Sequence, residues 1–176
     1  LPAFAIMQFQ PSINLKQAQT LPRHTTLRTA VNNSYCTFQT GYDTPILPLN
    51  IEEAQWQNNL PAPIQTHAMN TEIKSCLKIR LNRTHTDIRL KNLNTNRIRF
   101  YINLEPHLAY KFYELLSNNL IHLNLSYEQE GCEDSLPIET GQLKLIGFNE
   151  DETLLPYPPN SSKAYQILTE FFAYTD

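Results

Sequence analysis

The sequence predicts a β-dominated α+β fold: an antiparallel sheet or sandwich with one packed helix and a C-terminal helix. Three observations carry this. Apolar and polar residues alternate over several runs between 77 and 127, the period of half-buried strands. That period gives way to helical spacing at 106–118 and again from about 161. Turn chemistry rests on 12 prolines and paired asparagines rather than on the 4 glycines.

Residues 3–10 (AFAIMQFQ) read as a strand ended by Pro11. Residues 20–29 (TLPRHTTLRT) read as a proline-containing turn leading into a short strand, and 35–40 (YCTFQT) as another. At 44–49 (TPILPL) two prolines forbid helix and hold the residues before them extended. Residues 50–69 are the least periodic, and Pro61 and Pro63 mark a loop there.

The middle of the chain alternates clearly. Leu77, Ile79 and Leu81 face away from Lys78, Arg80 and Asn82, and Ile88 and Leu90 face away from Arg89 and Lys91. Ile98, Phe100, Ile102 and Leu104 alternate with Arg97, Arg99, Tyr101 and Asn103. The NLNTN run at 92–96 would join the last two segments as an antiparallel hairpin.

At 106–118 Leu108, Phe112, Leu115 and Leu116 recur at helical spacing. Pro106 suits the first turn, and Asn118-Asn119 the end. Ile121, Leu123, Leu125 and Tyr127 then form one face of a strand, a polar acidic loop follows at 128–140, and a strand lies around 142–147. A second amphipathic helix begins near Ser161 and carries Tyr165, Leu168, Phe171 and Phe172. These elements divide into a β-rich domain at 1–149, with the helix embedded at about 106–118, and a proline strap with a truncated helix at 150–176. Leu1-Pro2-Ala3 lacks Met and any signal pattern, and the last helix is cut off rather than capped, so both ends read as excised from a longer chain.

Composition excludes several classes of partner. With 41% hydrophobic and 18% charged residues, 176 residues suffice for one folded domain and one core. A net charge of -3 supplies no electrostatic footprint for nucleic acid. The apolar runs fall well short of the ~20 residues that cross a bilayer. Cys36, Cys76 and Cys132 form an odd set without CxxC spacing, which fits reduced thiols in a cytoplasmic protein.

No residue pattern points to chemistry. Asp43, His67, His85, His107 and His122 have no spacing that would converge three or four ligands on a metal. Neither Cys36 nor Cys76 has a base nearby in sequence, and no phosphate loop, G-x-S-x-G or H-E-x-x-H occurs. No catalytic, metal or cofactor residue is therefore assigned. The acidic trio Glu150-Asp151-Glu152 reads as a solvated turn, with a contact surface as the alternative. Eight of the 14 Lys/Arg lie between Lys74 and Arg99, and Arg80, Arg89 and Arg99 would project from the wet face of the same strands. That face is either simply solvated or docks an acidic surface. The run LLPYPP at 154–159 can be neither helix nor central strand. It serves either as a strap over the core or as a partner-binding element, since prolines pre-order it and tyrosine favours interfaces.

The segment 147–172, GFNEDETLLPYPPNSSKAYQILTEFF, resembles the pattern of the TssF family (also ImpG or VasA) of the bacterial type VI secretion baseplate. In that family a G-F-x-x-D-E-x-L-L-P-Y-P stretch precedes an aromatic-rich helix. Gly147, Phe148, Asp151, Glu152, Leu154, Leu155, Pro156, Tyr157 and Pro158 match in place, and Tyr165, Leu168, Glu170, Phe171, Phe172 and Ala173 continue the match. Upstream, LPRHTTLRT at 21–29, CTFQT at 36–40 and RFYINLEPHLAYKFYELL at 99–116 are similar to family segments in the same order. Where the family usually has Gly between strand and helix, this chain has Asn103-Leu104-Glu105-Pro106.

The resemblance implies a cytoplasmic, non-enzymatic scaffold at a baseplate docked on the inner-membrane complex, without membrane insertion and without nucleic acid. It implies partners TssG, TssK, TssE and a second TssF copy. The interface candidates are Arg80, Arg89, Arg99, Asp151, Leu155, Tyr157, Phe171 and Phe172. The alternative is a stand-alone β-sandwich ligand-binding module, which would show an aromatic-lined concave site.

Overall fold

Backbone pairing in the computed structural model is strand-dominated, with two α-helices among the described residues, the α+β class that the periodicities predict. The structure describes residues 3–31, 34–60, 73–129, 132–147, 149, 152–158 and 160–173. Among these the strands associate in pairs, as four two-stranded sheets rather than one continuous sheet. The chain divides into two units, one of Leu1–Asn50, Arg83–Asn96 and Ile146–Asp176, the other of Ile51–Asn82 and Arg97–Leu145.

In the first unit, β1 (Gln19–Leu21) pairs antiparallel with β4 (Thr44–Ile46), and β2 (Thr26–Val31) with β3 (Ser34–Gln39) in the register Leu27↔Phe38. The turn between β1 and β2 is held by two side chains from beyond β3. The hydroxyl of Thr40, only 8% exposed, donates to the Pro22 carbonyl at 2.8 Å and accepts from the Thr25 amide at 3.0 Å. The Asp43 carboxylate accepts the Arg23 amide at 2.7 Å. His24 completes the turn at φ 64, and its amide reaches the Thr40 carbonyl. These bonds give backbone groups of the turn partners that the strand ladders do not supply.

The core also lies in this unit. Leu15, Ile88 and Leu93 are buried, and Pro48 is fully so. Residues 84–96 close over it: the Thr84 amide and hydroxyl both donate to the Pro48 carbonyl, at 3.0 and 3.2 Å. The strand expected at 88–91 is instead a 3-10 turn, Leu90–Asn92. The Arg83 guanidinium takes the Ile88 carbonyl at 2.9 Å and the Thr86 carbonyl at 3.3 Å, removing acceptors that a ladder would use. The i→i+3 bonds from Asn92 to Arg89 and from Leu93 to Leu90 then tighten the chain. Ile88 is thereby buried while Leu90 points outward, and Asn94 takes φ 48, a left-handed conformation that Asn tolerates. The hairpin expected at 92–96 does not form, and 97–104 is not a strand.

The segment 3–10 is likewise not a strand. Its apolar content does not carry it into the interior: Ile6 and Met7 stay exposed.

The second unit holds most of β5 (Leu49–Gln57), which pairs with β6 (Cys76–Arg83), so the weakly periodic residues from 50 form a strand. The loop expected at Pro61 and Pro63 lies outside the described residues. Helix α1 (Pro106–Asn118) starts and ends as expected, with Pro106 in its first turn and the Asn119 amide closing on the Leu115 carbonyl. Its inner stripe is Ala109, Phe112, Tyr113 and Leu116, with Phe112 edge-on to Trp56 at 5.8 Å. Leu108 and Leu115 are exposed.

The polar run 128–140, expected as a loop, supplies β8 (Cys132–Ile138), antiparallel to β7 (Leu123–Gln129). Leu136 and Ile138 face Leu125 and Leu123 in register, and the Tyr127 hydroxyl donates to Asp134 at 3.2 Å. Two apolar residues at strand spacing suffice because the partner strand is adjacent in sequence. The strand expected at 142–147 is replaced by a 3-10 turn, Thr140–Gln142, and residues 143–147 are not a strand. Among the described residues, every fully buried side chain belongs to the first unit.

Candidate functional site: a proline strap and an outward-facing helix

Residues 152–158 and helix α2 (Lys163–Ala173) form a junction within the first unit. Its entrance is shaped by Glu152, whose Oε2 accepts the amides of Gly147 at 2.8 Å and Asn149 at 3.2 Å. Gly147 sits at φ 111, a conformation that side-chain-bearing residues avoid. The acidic turn is thus organised by its last carboxylate, while Asp151, with Phe148 and Glu150, lies outside the described residues.

The strap is then seated from two sides. On one, the Arg23 guanidinium donates to the Thr153 carbonyl, and the Leu154 side chain occupies the space a Cβ at Gly41 would take. On the other, a single oxygen of Glu170 accepts the amides of Leu154 at 2.8 Å and Leu155 at 3.1 Å. The Tyr157 hydroxyl donates to the Gln166 carbonyl at 3.1 Å. Helix α2 begins where the Ser162 carbonyl accepts the Tyr165 and Gln166 amides.

These contacts set the helix with its polar side inward. Gln166, Thr169, Glu170 and Ala173, one stripe at i, i+3, i+4, i+7, are half-buried. Tyr165 is 73% exposed and Phe172 61%, and Leu168 and Phe171 lie outside with them. The Phe171 and Phe172 rings meet edge to face at 5.5 Å. An ordinary surface helix shows the opposite arrangement. Leu155 and Tyr157 are half-buried in the strap.

The family model described as "Type VI secretion system, TssF" matches residues 1–176, the whole chain. The chain belongs to the TssF family. It is 25% identical over 179 residues to the Type VI secretion system component TssF1 of Pseudomonas aeruginosa. That alignment covers 98% of this chain and 28% of the relative, so the chain spans about a quarter of that protein's length. No solved structure matches it.

Within this TssF chain the three arginines singled out in the sequence are not on one sheet. Arg80 lies on β6, 3.9 Å from Glu52, with both side chains about half exposed, a pairing that contributes little to stability. Arg99 lies in the 97–104 segment, which is not a strand, and Arg89 precedes the Leu90–Asn92 turn in the other unit. Among the described residues, no group of three or more His, Cys, Asp or Glu is placed to hold a metal, and no helix is long and apolar enough to cross a membrane.

Sequence reasoning named Leu155, Tyr157, Phe171 and Phe172 as contacts, met Glu170 only as a residue of the family match, and passed over Arg23 and Gly41; these three seat the strap. Their partners lie 15 to 130 residues away, so no local pattern signals them. Burial and the neighbouring Glu170 charge push the Tyr157 hydroxyl above the ordinary value of 10.0, with the Thr169 hydroxyl partly offsetting them. The folded state therefore holds this proton more tightly than the unfolded chain does. The Tyr157 contribution to stability should be constant below pH 10.0 and disappear as pH rises through the raised value. Alkaline unfolding curves of the parent and Tyr157→Phe check this: the variant should lose part of the pH dependence, and identical curves would refute it.

Proposed function

We propose that this chain is a structural, non-enzymatic part of TssF in the type VI secretion baseplate wedge, in the bacterial cytoplasm where the baseplate docks on the inner-membrane complex. It works through protein contacts, with TssG, TssK, TssE and a second TssF copy as partners, and helps to build the platform for the contractile tail. The observation that carries this reading is the outward apolar face of α2, with Tyr165, Leu168, Phe171 and Phe172 exposed while the polar side is engaged by the strap. Clustered exposed aromatics on a rigid support suit an interface anchor. The two carboxylates of the junction, Glu152 and Glu170, each accept two backbone amides, a use that holds shape.

Residues 150–176 act as one contact element, to which Asp151, Leu155, Phe171 and Phe172 contribute contacts and Tyr157 contributes the seating of the strap. Arg80, Arg89 and Arg99 act as separate electrostatic contacts with acidic partner surface. Reversing all three to Glu in the full-length protein should weaken wedge assembly by roughly tenfold at low salt, and the deficit should shrink as salt screens the charges. Assembly unchanged at low salt would return these arginines to a solvated role. Failure of the full-length protein to co-purify with TssG at any salt would sink the scaffold reading itself.

A further inference from the structure

We infer that Glu170 is a positioning residue that fixes the rotation of α2 about its own axis, holding the aromatic side outward. The inference deepens the reading that this side is used as an interface, but it stands on the geometry of the junction. Left to apolar area alone, the helix would roll to bury Tyr165, Leu168 and Phe172 against Leu154 and Leu155. What opposes the roll is a shortage of acceptors in the strap.

Of residues 154–158, Pro156 and Pro158 have no amide hydrogen, which leaves three donors. Leu154 and Leu155 are half-buried and belong to no ladder, so their amides need an acceptor from elsewhere. One oxygen of Glu170 supplies it for both. The Tyr157 hydroxyl adds a bond to the Gln166 carbonyl one turn earlier on the same side of the helix. Rolling α2 would break all three bonds at once and leave two half-buried amides without partners. The helix is thereby held in the setting that exposes its apolar stripe.

The test is residue-resolved hydroxyl-radical footprinting of the full-length protein. A lost charge-assisted bond shifts such a docking equilibrium by roughly tenfold or more. In Glu170→Leu, oxidation of Tyr165 and Phe172 should therefore fall about threefold or more as the helix rolls inward. Glu170→Gln should keep the parent pattern, because its amide oxygen accepts the same two amides. Unchanged oxidation in Glu170→Leu, or an equal shift in Glu170→Gln, would overturn the inference. Should Glu170→Leu fail to fold, Glu170→Asp withdraws the oxygen by one methylene and must give a smaller protection in the same direction; no protection there overturns it equally. Binding is scored separately: loss of protection argues against the Glu170 role, whereas intact partner binding by Phe172→Ala argues against the interface reading.

Discussion

Ile88→Ala should destabilise the first unit by about 2–5 kcal/mol, whereas Leu90→Ala should change it by less than about 0.5 kcal/mol. The pair discriminates because sequence periodicity puts both side chains on one face of one strand, where they would cost alike. In the structure Ile88 is 3% exposed and Leu90 56%, because the Leu90–Asn92 turn rotates the second outward. Ile88 shares the interior with Leu15, Pro48 and Leu93. Its carbonyl also accepts from Arg83, a bond that the substitution leaves in place, so the effect reports packing. Urea unfolding of both variants measures it. Equal costs would mean that 88–91 is a strand after all.

In the full-length protein, Phe172→Ala should weaken partner binding by about 2–4 kcal/mol if the aromatic face is an anchor. The melting temperature should barely move, because Phe172 is 61% exposed and its ring contact is with Phe171 on the same helix. Tyr157→Ala should behave in the opposite sense. Its hydroxyl bonds the Gln166 carbonyl within the junction, so truncation costs stability first and binding only through a loosened strap. Titration of each variant against TssG, alongside its melting curve, separates the two roles. Binding that survives Phe172→Ala, with a collapsed melting temperature, would make the ring part of the fold and end the interface claim.

What was legible in the sequence follows from how local each rule is. Pro106 and the 3.6-residue spacing suffice for α1, and Asn118-Asn119 suffices for its end, because capping and period are settled within a few residues. The strap is equally legible, since proline removes donors and fixes φ wherever it stands. The turn at 22–25, the strands from 26 and 34, and β6 were readable for the same reason, and the 147–158 motif was enough to suggest the family.

Only the tertiary structure decided which alternating segments find a partner. Residues 97–104 alternate as well as β6 does but form no strand, while the acid-rich 132–138 pairs because β7 lies beside it. Alternation describes one face of a strand, and pairing is a property of two. The aromatic side of α2 was legible as a contact face, with Phe171 and Phe172 among the interface candidates, but what holds it outward was not: Glu170 and Gln166 face the strap, where the Leu154 and Leu155 amides need an acceptor.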